Sequence, residues 1–232
     1  MAILTRKSRV FLNRVSDASV ALGVVSLSRQ SPGRGYLISK RIFDLTASLL
    51  MLPFIIPVIA LAALALWLEN PGPVFFTQLR TGRGGRRFRM YKLRSMVTNA
   101  EELKQQLRHL NELTWPDFKI TNDPRVTRVG RILRKSSVDE LPQIFNVIRD
   151  DMSLVGPRPT SFSANTYTMW HTERLEVQPG ITGLWQVSGR SDVDLDDRLR
   201  MDIEYIHKRS FWLDIKLILR TVTAVAKSRG AR

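Results

Sequence analysis

LTASLLMLPFIIPVIALAALALWL, residues 45–68, carries no charged side chain. At about 1.5 Å rise per residue, a helix of that length matches the roughly 30 Å hydrocarbon layer of a bilayer. Lys40 and Arg41 precede the run, and Arg80, Arg83, Arg86, Arg87, Arg89, Lys92 and Arg94 follow it. A spanning helix would leave one basic flank outside, against the positive-inside tendency. Pro53 and Pro57 lie within the run, where each removes a backbone hydrogen bond and favours a kink. Spanning and re-entry are both open on these features. A bent helix that dips in and returns keeps both basic flanks on the cytoplasmic side, and re-entry is the reading we favour.

Working outward, residues 1–36 read as a basic N-terminal extension with a linker at Ser31-Pro32-Gly33-Arg34-Gly35. Its apolar run is too short, and its flanks wrong, for a signal peptide. On the other side, Asn70-Pro71-Gly72-Pro73 has turn chemistry and Val74 to Gln78 has strand composition. After a glycine-rich turn at 81–85, residues 87–94 alternate apolar and basic side chains, which predicts a hairpin with one cationic face. Glu101 to Leu113 reads as a polar surface helix ended by Trp115-Pro116.

The 232 residues and 44% hydrophobic content suffice for a core. The absence of cysteine excludes disulfides, thiolate zinc sites and a cysteine nucleophile, and three scattered histidines argue against a histidine-rich metal site. A net charge of +15 points to an anionic partner: nucleic acid, anionic lipid or a phosphorylated small molecule.

Within this basic chain, Asp139 and Glu140 stand together in Ser137-Val138-Asp139-Glu140-Leu141-Pro142-Gln143. Ser137-x-x-Glu140 is a capping-box pattern at a helix start. Arg125, Arg128, Arg131 and Arg134 recur every third residue before it, a solvated stripe or a phosphate-binding rail. A carboxylate beside a phosphate needs cations to offset repulsion, and can then act as a phosphoryl acceptor. After the pair, Leu141 to Ile148 makes an amphipathic face. Gly156-Pro157-Arg158-Pro159 presents one arginine between two prolines, and arginine's fork suits phosphate oxygens. Pro179-Gly180-Ile181-Thr182-Gly183 reads as a second constrained turn, Trp185 as core or platform, and Phe211 to Val225 as an interfacial or core-packed helix.

Several motifs, in order, resemble the bacterial sugar transferase family, the monotopic polyprenyl-phosphate phosphoglycosyltransferases. They are Lys40-Arg41-x-Phe43-Asp44, Gly72-Pro73-Val74-Phe75-Phe76, Tyr91-Lys92-Leu93-Arg94-Ser95-Met96 and Asp123-Pro124-Arg125. Leu133-Arg134-Lys135-Ser136-Ser137, Asp139-Glu140-Leu141-Pro142-Gln143, the segment Asp151 to Pro159, and Pro179 to Gly183 complete the set. Many relatives have serine before the helix-breaking proline, where Ile56 precedes Pro57 here, and Pro53 is additional. Gln178 stands where many relatives carry lysine or arginine.

The resemblance implies an α-rich α+β fold: a monotopic membrane protein with a re-entrant proline-broken helix hinged at Pro53 and Pro57, a small β-hairpin and interfacial amphipathic helices. Residues 37–70 would be the membrane helix and 71–232 the catalytic domain on the cytoplasmic face of the bacterial inner membrane. It looks like the small catalytic form, without a multi-span N-terminal region. The implied reaction moves a sugar-1-phosphate from a UDP-sugar to undecaprenyl (polyprenyl) phosphate, releasing UMP and initiating exopolysaccharide or related glycan synthesis. Asp139 matches the nucleophile that would carry the phosphosugar and bind Mg2+, and Glu140 matches its partner, a general base or a positioning group. Lys92, Arg94, Arg134, Arg158 and Gln143 match phosphate- and nucleotide-binding positions. Membrane lipids and downstream glycosyltransferases are the implied partners; a homodimer is compatible and nucleic acid has no role. No local motif separates galactose, glucose and N-acetylated donors. A different class, a non-catalytic membrane-anchored protein binding nucleic acid or anionic lipid, accounts for the charge but leaves the Asp139-Glu140 pair without a purpose.

Overall fold

The structure, a computed structural model, describes residues 33–112, 118, 120–161, 169–188 and 195–226. The reading of residues 1–32, and the Trp115-Pro116 helix end, lie outside the described residues. The first helix, α1, runs from Arg34 to Glu69. It thus begins inside the stretch that the sequence assigns to the linker. Pro53 and Pro57 sit within one continuous helical assignment, so the expected break does not interrupt the helix.

Two faces of α1 explain its position. Asp44, Ser48, Ile55, Ile59, Ala62 and Leu66 are buried and recur at helical spacing along one stripe. The apolar members of that stripe pack on Leu93, Leu133 and Ile144. The opposite side leaves Leu50, Phe54, Leu61 and Leu68 between 66% and 77% exposed. Only 22% of the helix's most apolar window, of mean hydropathy 2.7, is buried. Water would penalise a surface of that size and lipid would not, so α1 is the membrane-associating element.

Antiparallel strands β1 (Phe75–Thr81) and β2 (Arg87–Leu93) pair from Phe75↔Leu93 to Thr81↔Arg87. Gly84 and Gly85 take φ of 65° and 79° in the connecting turn, a region that favours glycine. In β2 Phe88, Met90 and Leu93 are buried while Arg87 and Arg89 are exposed, so the predicted hairpin and cationic face are both present. The polar helix is shorter than expected: α2 covers Ala100–Gln106, followed by a 3-10 turn at Arg108–Leu110.

Helix α3 (Arg128–Ser136), a 3-10 turn (Val138–Gln143) and helix α4 (Ile144–Ile148) form one unbroken catalytic-candidate segment. Both ends of α1 hold it. Glu69 accepts the backbone N–H groups of Arg128 and Val129 at 2.7 and 3.0 Å, satisfying two orphan donors at the start of α3. Thr127 Oγ1 accepts the Gly130 N–H at 2.9 Å as the conventional cap. At the other end Arg41 donates to the carbonyls of Val147 and Ile148 at 2.7 and 3.1 Å. Asn146, fully buried, accepts the Tyr91 N–H and donates to Arg89 O, standing in for a missing strand along β2.

Strands β3 (Ser153–Val155) and β4 (Gly180–Thr182) pair in parallel, with Ser153↔Gly180 and Val155↔Thr182. The Pro179 to Gly183 stretch, expected as a turn, is therefore largely a strand; its glycine allows backbone contact, since a Cβ on Gly180 would lie 2.1 Å from Gly156 N. Helices α5 (Leu184–Ser188), α6 (Leu195–Lys208) and α7 (Phe211–Ala226) complete the described fold. Buried Asp214 of α7 accepts Tyr36 and Tyr205 hydroxyls and pairs with Lys40 at 2.9 Å, tying α7 to the start of α1. Asp44 accepts Ser153 Oγ at 2.7 Å and ties in β3. On the outer side of α7, Trp212, Leu219 and Val222 are exposed, so the helix packs inward and presents an apolar row outward.

Gly130 decides how closely α3 approaches the hairpin, because a Cβ there would lie 2.1 Å from Ser95 O. Alanine for glycine inside a helix ordinarily gains about 0.5–1 kcal/mol. Here overpacking should dominate, and Gly130→Ala should lose about 1–3 kcal/mol. Thermal unfolding of detergent-solubilised protein checks this; a raised Tm would contradict the packing.

Candidate active site

The segment carrying Asp139 and Glu140 forms one wall of a cavity of about 700 Å³. The other walls come from β1 and β2, residues 95–98, the start of α2, the Arg158 loop and α5. The capping box expected at Ser137 is absent. Ser137 instead adopts a left-handed conformation, φ 58°, and its N–H closes α3 on the carbonyls of Arg134 and Leu133. Its side chain caps nothing. The chain then tightens into the 3-10 turn, with Glu140 N donating to Ser137 O at 3.2 Å. The Glu140 carboxylate has stronger partners than an N-cap.

Lys92 Nζ lies 2.9 Å from Glu140 Oε1. Arg158 Nη2 donates to the same oxygen at 2.5 Å and Nη1 to Oε2 at 3.3 Å. Burial opposes ionisation of Glu140, but the two cations outweigh it and hold its carboxyl well below the usual carboxylate range. Asp139 is 7% exposed and makes no side-chain hydrogen bond or ion pair among the described residues. Burial pushes Asp139 up to about 6; the charge of Glu140 adds to this, and Lys92, Arg134 and Arg158 oppose it. Neighbouring carboxylates are thus made unlike: one saturated by cations, the other uncommitted and facing open space.

The remaining sequence candidates divide. Arg134 lines the cavity and donates from Nε to Ser95 Oγ at 2.8 Å. Arg94 also lines it, but Nη2 is engaged by Asn70 O at the end of α1, and Nη1 is buried without a partner. Gln143 is 2% exposed, lies off the cavity wall and leaves Nε2 without a hydrogen-bond partner. The arginine rail does not form. Arg125 is committed to Asp123 through two hydrogen bonds of 2.9 and 2.7 Å, and Arg128 and Arg131 are exposed away from the cavity. Helical geometry rotates Arg128 and Arg131 off the Arg134 face, since a spacing of three drifts around a 3.6-residue turn. Trp185 does line the cavity, with the Arg198 guanidinium 5.6 Å from its ring centre. Gln78 and Arg80 of β1 also reach this wall, linked by a 2.5 Å hydrogen bond; only their strand alternation with Phe76 hinted at it.

No group of three or more His, Asp or Glu side chains suited to a metal cage occurs among the described residues. A single carboxylate in an open cavity does fit Mg2+, which keeps most of its waters and takes one or two carboxylates beside substrate phosphates. Asp139 is the residue that would hold it, because both Glu140 oxygens are occupied.

A family model described as bacterial sugar transferase matches residues 35–228. CpsE, a galactosyl transferase of Streptococcus agalactiae serotype III, is 42% identical over 211 residues, 90% of this chain and 47% of its own. The exopolysaccharide production protein ExoY of Rhizobium meliloti is 37% identical over 198 residues, 83% of this chain and 88% of its own. A UDP-glucose:undecaprenyl-phosphate glucose-1-phosphate transferase of Caulobacter vibrioides is 42% identical over 203 residues, 83% of this chain and 71% of its own. The chain belongs to the bacterial sugar transferase family. It spans less than half the length of CpsE and of several other curated relatives.

The Asp139 environment has a consequence for stability. A carboxyl near 3.8 unfolded and about 6 folded is protonated in both states at low pH, so it contributes nothing there. As pH rises from about 4 through 6, its ionisation increasingly disfavours the fold, by about 3 kcal/mol once complete. Asp139→Asn should therefore raise Tm at pH 7.5 in chelator, with the gain shrinking toward zero by pH 4. Equal Tm values at both pH values would refute the assignment.

Proposed function

We propose that the protein transfers a sugar-1-phosphate from a UDP-sugar to undecaprenyl phosphate and so initiates an exopolysaccharide or related glycan. The observation carrying this reading is the uncommitted Asp139 carboxylate beside a Glu140 saturated by Lys92 and Arg158, on a segment that lines the cavity on one side and packs against the membrane-associating helix on the other. The names of the relatives support the substrate classes.

In the first half-reaction an Asp139 oxygen attacks the β-phosphorus of the UDP-sugar. The bond from that phosphorus to the bridging oxygen breaks, UMP leaves with the electron pair, and an aspartyl phosphosugar forms. In the second, an undecaprenyl phosphate oxygen attacks the same phosphorus. The acyl phosphate bond breaks, Asp139 is restored, and undecaprenyl diphosphate sugar departs. Arg134 and Arg158, with Lys92, offset phosphate charge as the nucleophile approaches. Glu140 is too weak a base for proton removal and acts by orienting Lys92 and Arg158, which favours the positioning role over the general-base one. Bound Mg2+ would supply further charge neutralisation at the phosphate oxygens. We also propose that α1 bends at Pro53 and Pro57 and re-enters, which puts the cavity at the cytoplasmic surface of the inner membrane where lipid phosphate meets soluble donor.

The experiment is UMP release from a panel of UDP-sugars by detergent-solubilised protein with Mg2+ and undecaprenyl phosphate. One or a few donors should release UMP, and Asp139→Asn should lower the rate by at least about 10³-fold, as removing a nucleophile does. Release unaffected by Asp139→Asn would rule out the covalent route. No release from any UDP-sugar by folded protein, with salt-sensitive binding to DNA or anionic vesicles, would favour a non-catalytic binding protein.

A further inference from the structure

Arg158 is held from both ends. Its guanidinium lies on Glu140, and its backbone carbonyl accepts a hydrogen bond from Arg174 Nη2 at 2.5 Å. The same Arg174 nitrogen donates to Asp202 Oδ2 at 2.7 Å. Arg174 comes from a 3-10 stretch at Met169–Glu176 and Asp202 from α6, elements that contribute nothing to the Glu140 cluster directly. Both side chains are buried, at 6% and 1% exposure, and neither lies on the wall of the large cavity.

The chemistry of this pair is unusual for a plain stabilising contact. Removing two charges from water costs several kcal/mol per ion, which mutual attraction offsets only with excellent geometry and further hydrogen bonds. Among the described residues Asp202 Oδ1 is buried without a hydrogen-bond partner, so the carboxylate acts through one oxygen on one arginine. Burial pushes Asp202 up to about 7 against the pull of Arg174 and Arg198, which records that cost. The arginine so held meets one backbone carbonyl, that of the residue between Pro157 and Pro159. The prolines fix φ on either side and Pro159 narrows ψ of Arg158, but neither supplies an N–H to tie the loop to the rest of the protein. The Gly180 N–H holds the Pro157 carbonyl at 2.9 Å, and the charged Arg174 donor holds the Arg158 carbonyl.

We propose that Arg174 and Asp202 are positioning residues for phosphosugar transfer: Asp202 orients Arg174, and Arg174 fixes the Pro157-Arg158-Pro159 backbone so that the Arg158 guanidinium stays on Glu140 and on the cavity. The inference rests on the transfer reaction given above. Small misplacements of a group that stabilises the reacting phosphate lower rate by one to two orders of magnitude. A role confined to stability would lower Tm without depending on what residue 158 carries.

The test is a double-mutant cycle on UMP release, with the UDP-sugar that the wild-type protein uses, and Tm recorded for each variant. Arg174→Ala should lower kcat by about tenfold or more in the wild-type background. In the Arg158→Ala background the same substitution should cost no more than about twofold, because the group it positions is gone. Asp202→Asn keeps an acceptor for Arg174 and should retain more activity than Asp202→Leu. If Arg174→Ala does not fold, Arg174→Lys, whose ammonium lacks the planar fork, is carried through the same cycle under the same criterion. Equal losses in both backgrounds overturn the proposal, as does kcat preserved in a folded Arg174 variant. Failure of the wild-type protein to release UMP defeats the transfer reading itself, whereas an active wild type with an additive cycle defeats only this inference.

Discussion

The structure depends on a brace: the two ends of one apolar helix hold the two ends of the segment that carries Asp139 and Glu140. Glu69 caps the start of α3 and Arg41 grips the carbonyls at the end of α4. Between these polar ends, Ile55, Ile59, Ala62 and Leu66 pack on the same segment through Leu133 and Ile144. The contacts differ in kind for a reason. Helix termini expose unpaired N–H and C=O groups that only polar partners satisfy, and the midsection offers only side chains to be packed. A helix with one buried stripe and one lipid-compatible face thus joins the site directly to the membrane-associating surface.

On that frame, electrostatics differentiates two adjacent carboxylates. Next to each other in sequence, they would repel and titrate alike in water. A 3-10 turn separates their directions, sending Glu140 to Lys92 and Arg158 and leaving Asp139 without a hydrogen-bond or ion-pair partner among the described residues. Glu140 concentrates two cations that would otherwise scatter, and those cations then lower the cost of ionising Asp139. The balance still favours burial, so Asp139 is a stronger base than a solvated aspartate, which suits the nucleophilic role proposed for it. The same burial makes the folded protein less stable than a neutral residue would, which is the usual relation between a reactive site and its fold.

Much of this was legible in the sequence, and the reasons for the gaps are physical. The membrane helix, the hairpin and the cationic face of β2 follow from hydropathy and period, which depend on neighbours in the chain. The motif Asp139-Glu140 marked the site because two carboxylates in a basic chain need an explanation. The capping box failed because Ser137 closes the preceding helix in a left-handed conformation, a choice set by α3 rather than by the serine. The arginine rail failed because a count of three is not a helical face over four repeats, and because Asp123 claims Arg125. Pro179 to Gly183 read as a turn because glycine and proline usually mark one. Its glycine instead admits the Gly156 backbone, a contact with a segment 24 positions earlier that no local pattern announces. Arg174, Asp202 and Asn146 were invisible for the same reason: Arg174 and Asn146 act on backbone groups, and Asp202 on the Arg174 side chain, all distant in sequence.

These distant contacts bear on why the chain continues well past its apparent active-site motifs. The last arginine on the cavity wall among the described residues is Arg158, yet α6 and α7 follow. Asp214 on α7 binds Lys40 and Tyr36 at the start of α1, while Asp202 on α6 holds Arg174 and through it the Arg158 loop. The C-terminal helices therefore close a circuit: one fastens the membrane helix, the other the loop facing the cavity. Tyr205 sits between them, donating to Asp214 and to Val155 O in the strand that leads into Arg158. Exposed Trp212, Leu219 and Val222 on α7 add an apolar row like that of α1. Because Asp214 fastens α7 to the start of α1, the two exposed apolar rows are coupled to each other and, through α6 and Arg174, to the loop that faces the cavity. In the transfer proposed above, whose acceptor phosphate is tethered to a lipid chain, that coupling would be a positional requirement of the same kind as the contact between Glu140 and Arg158.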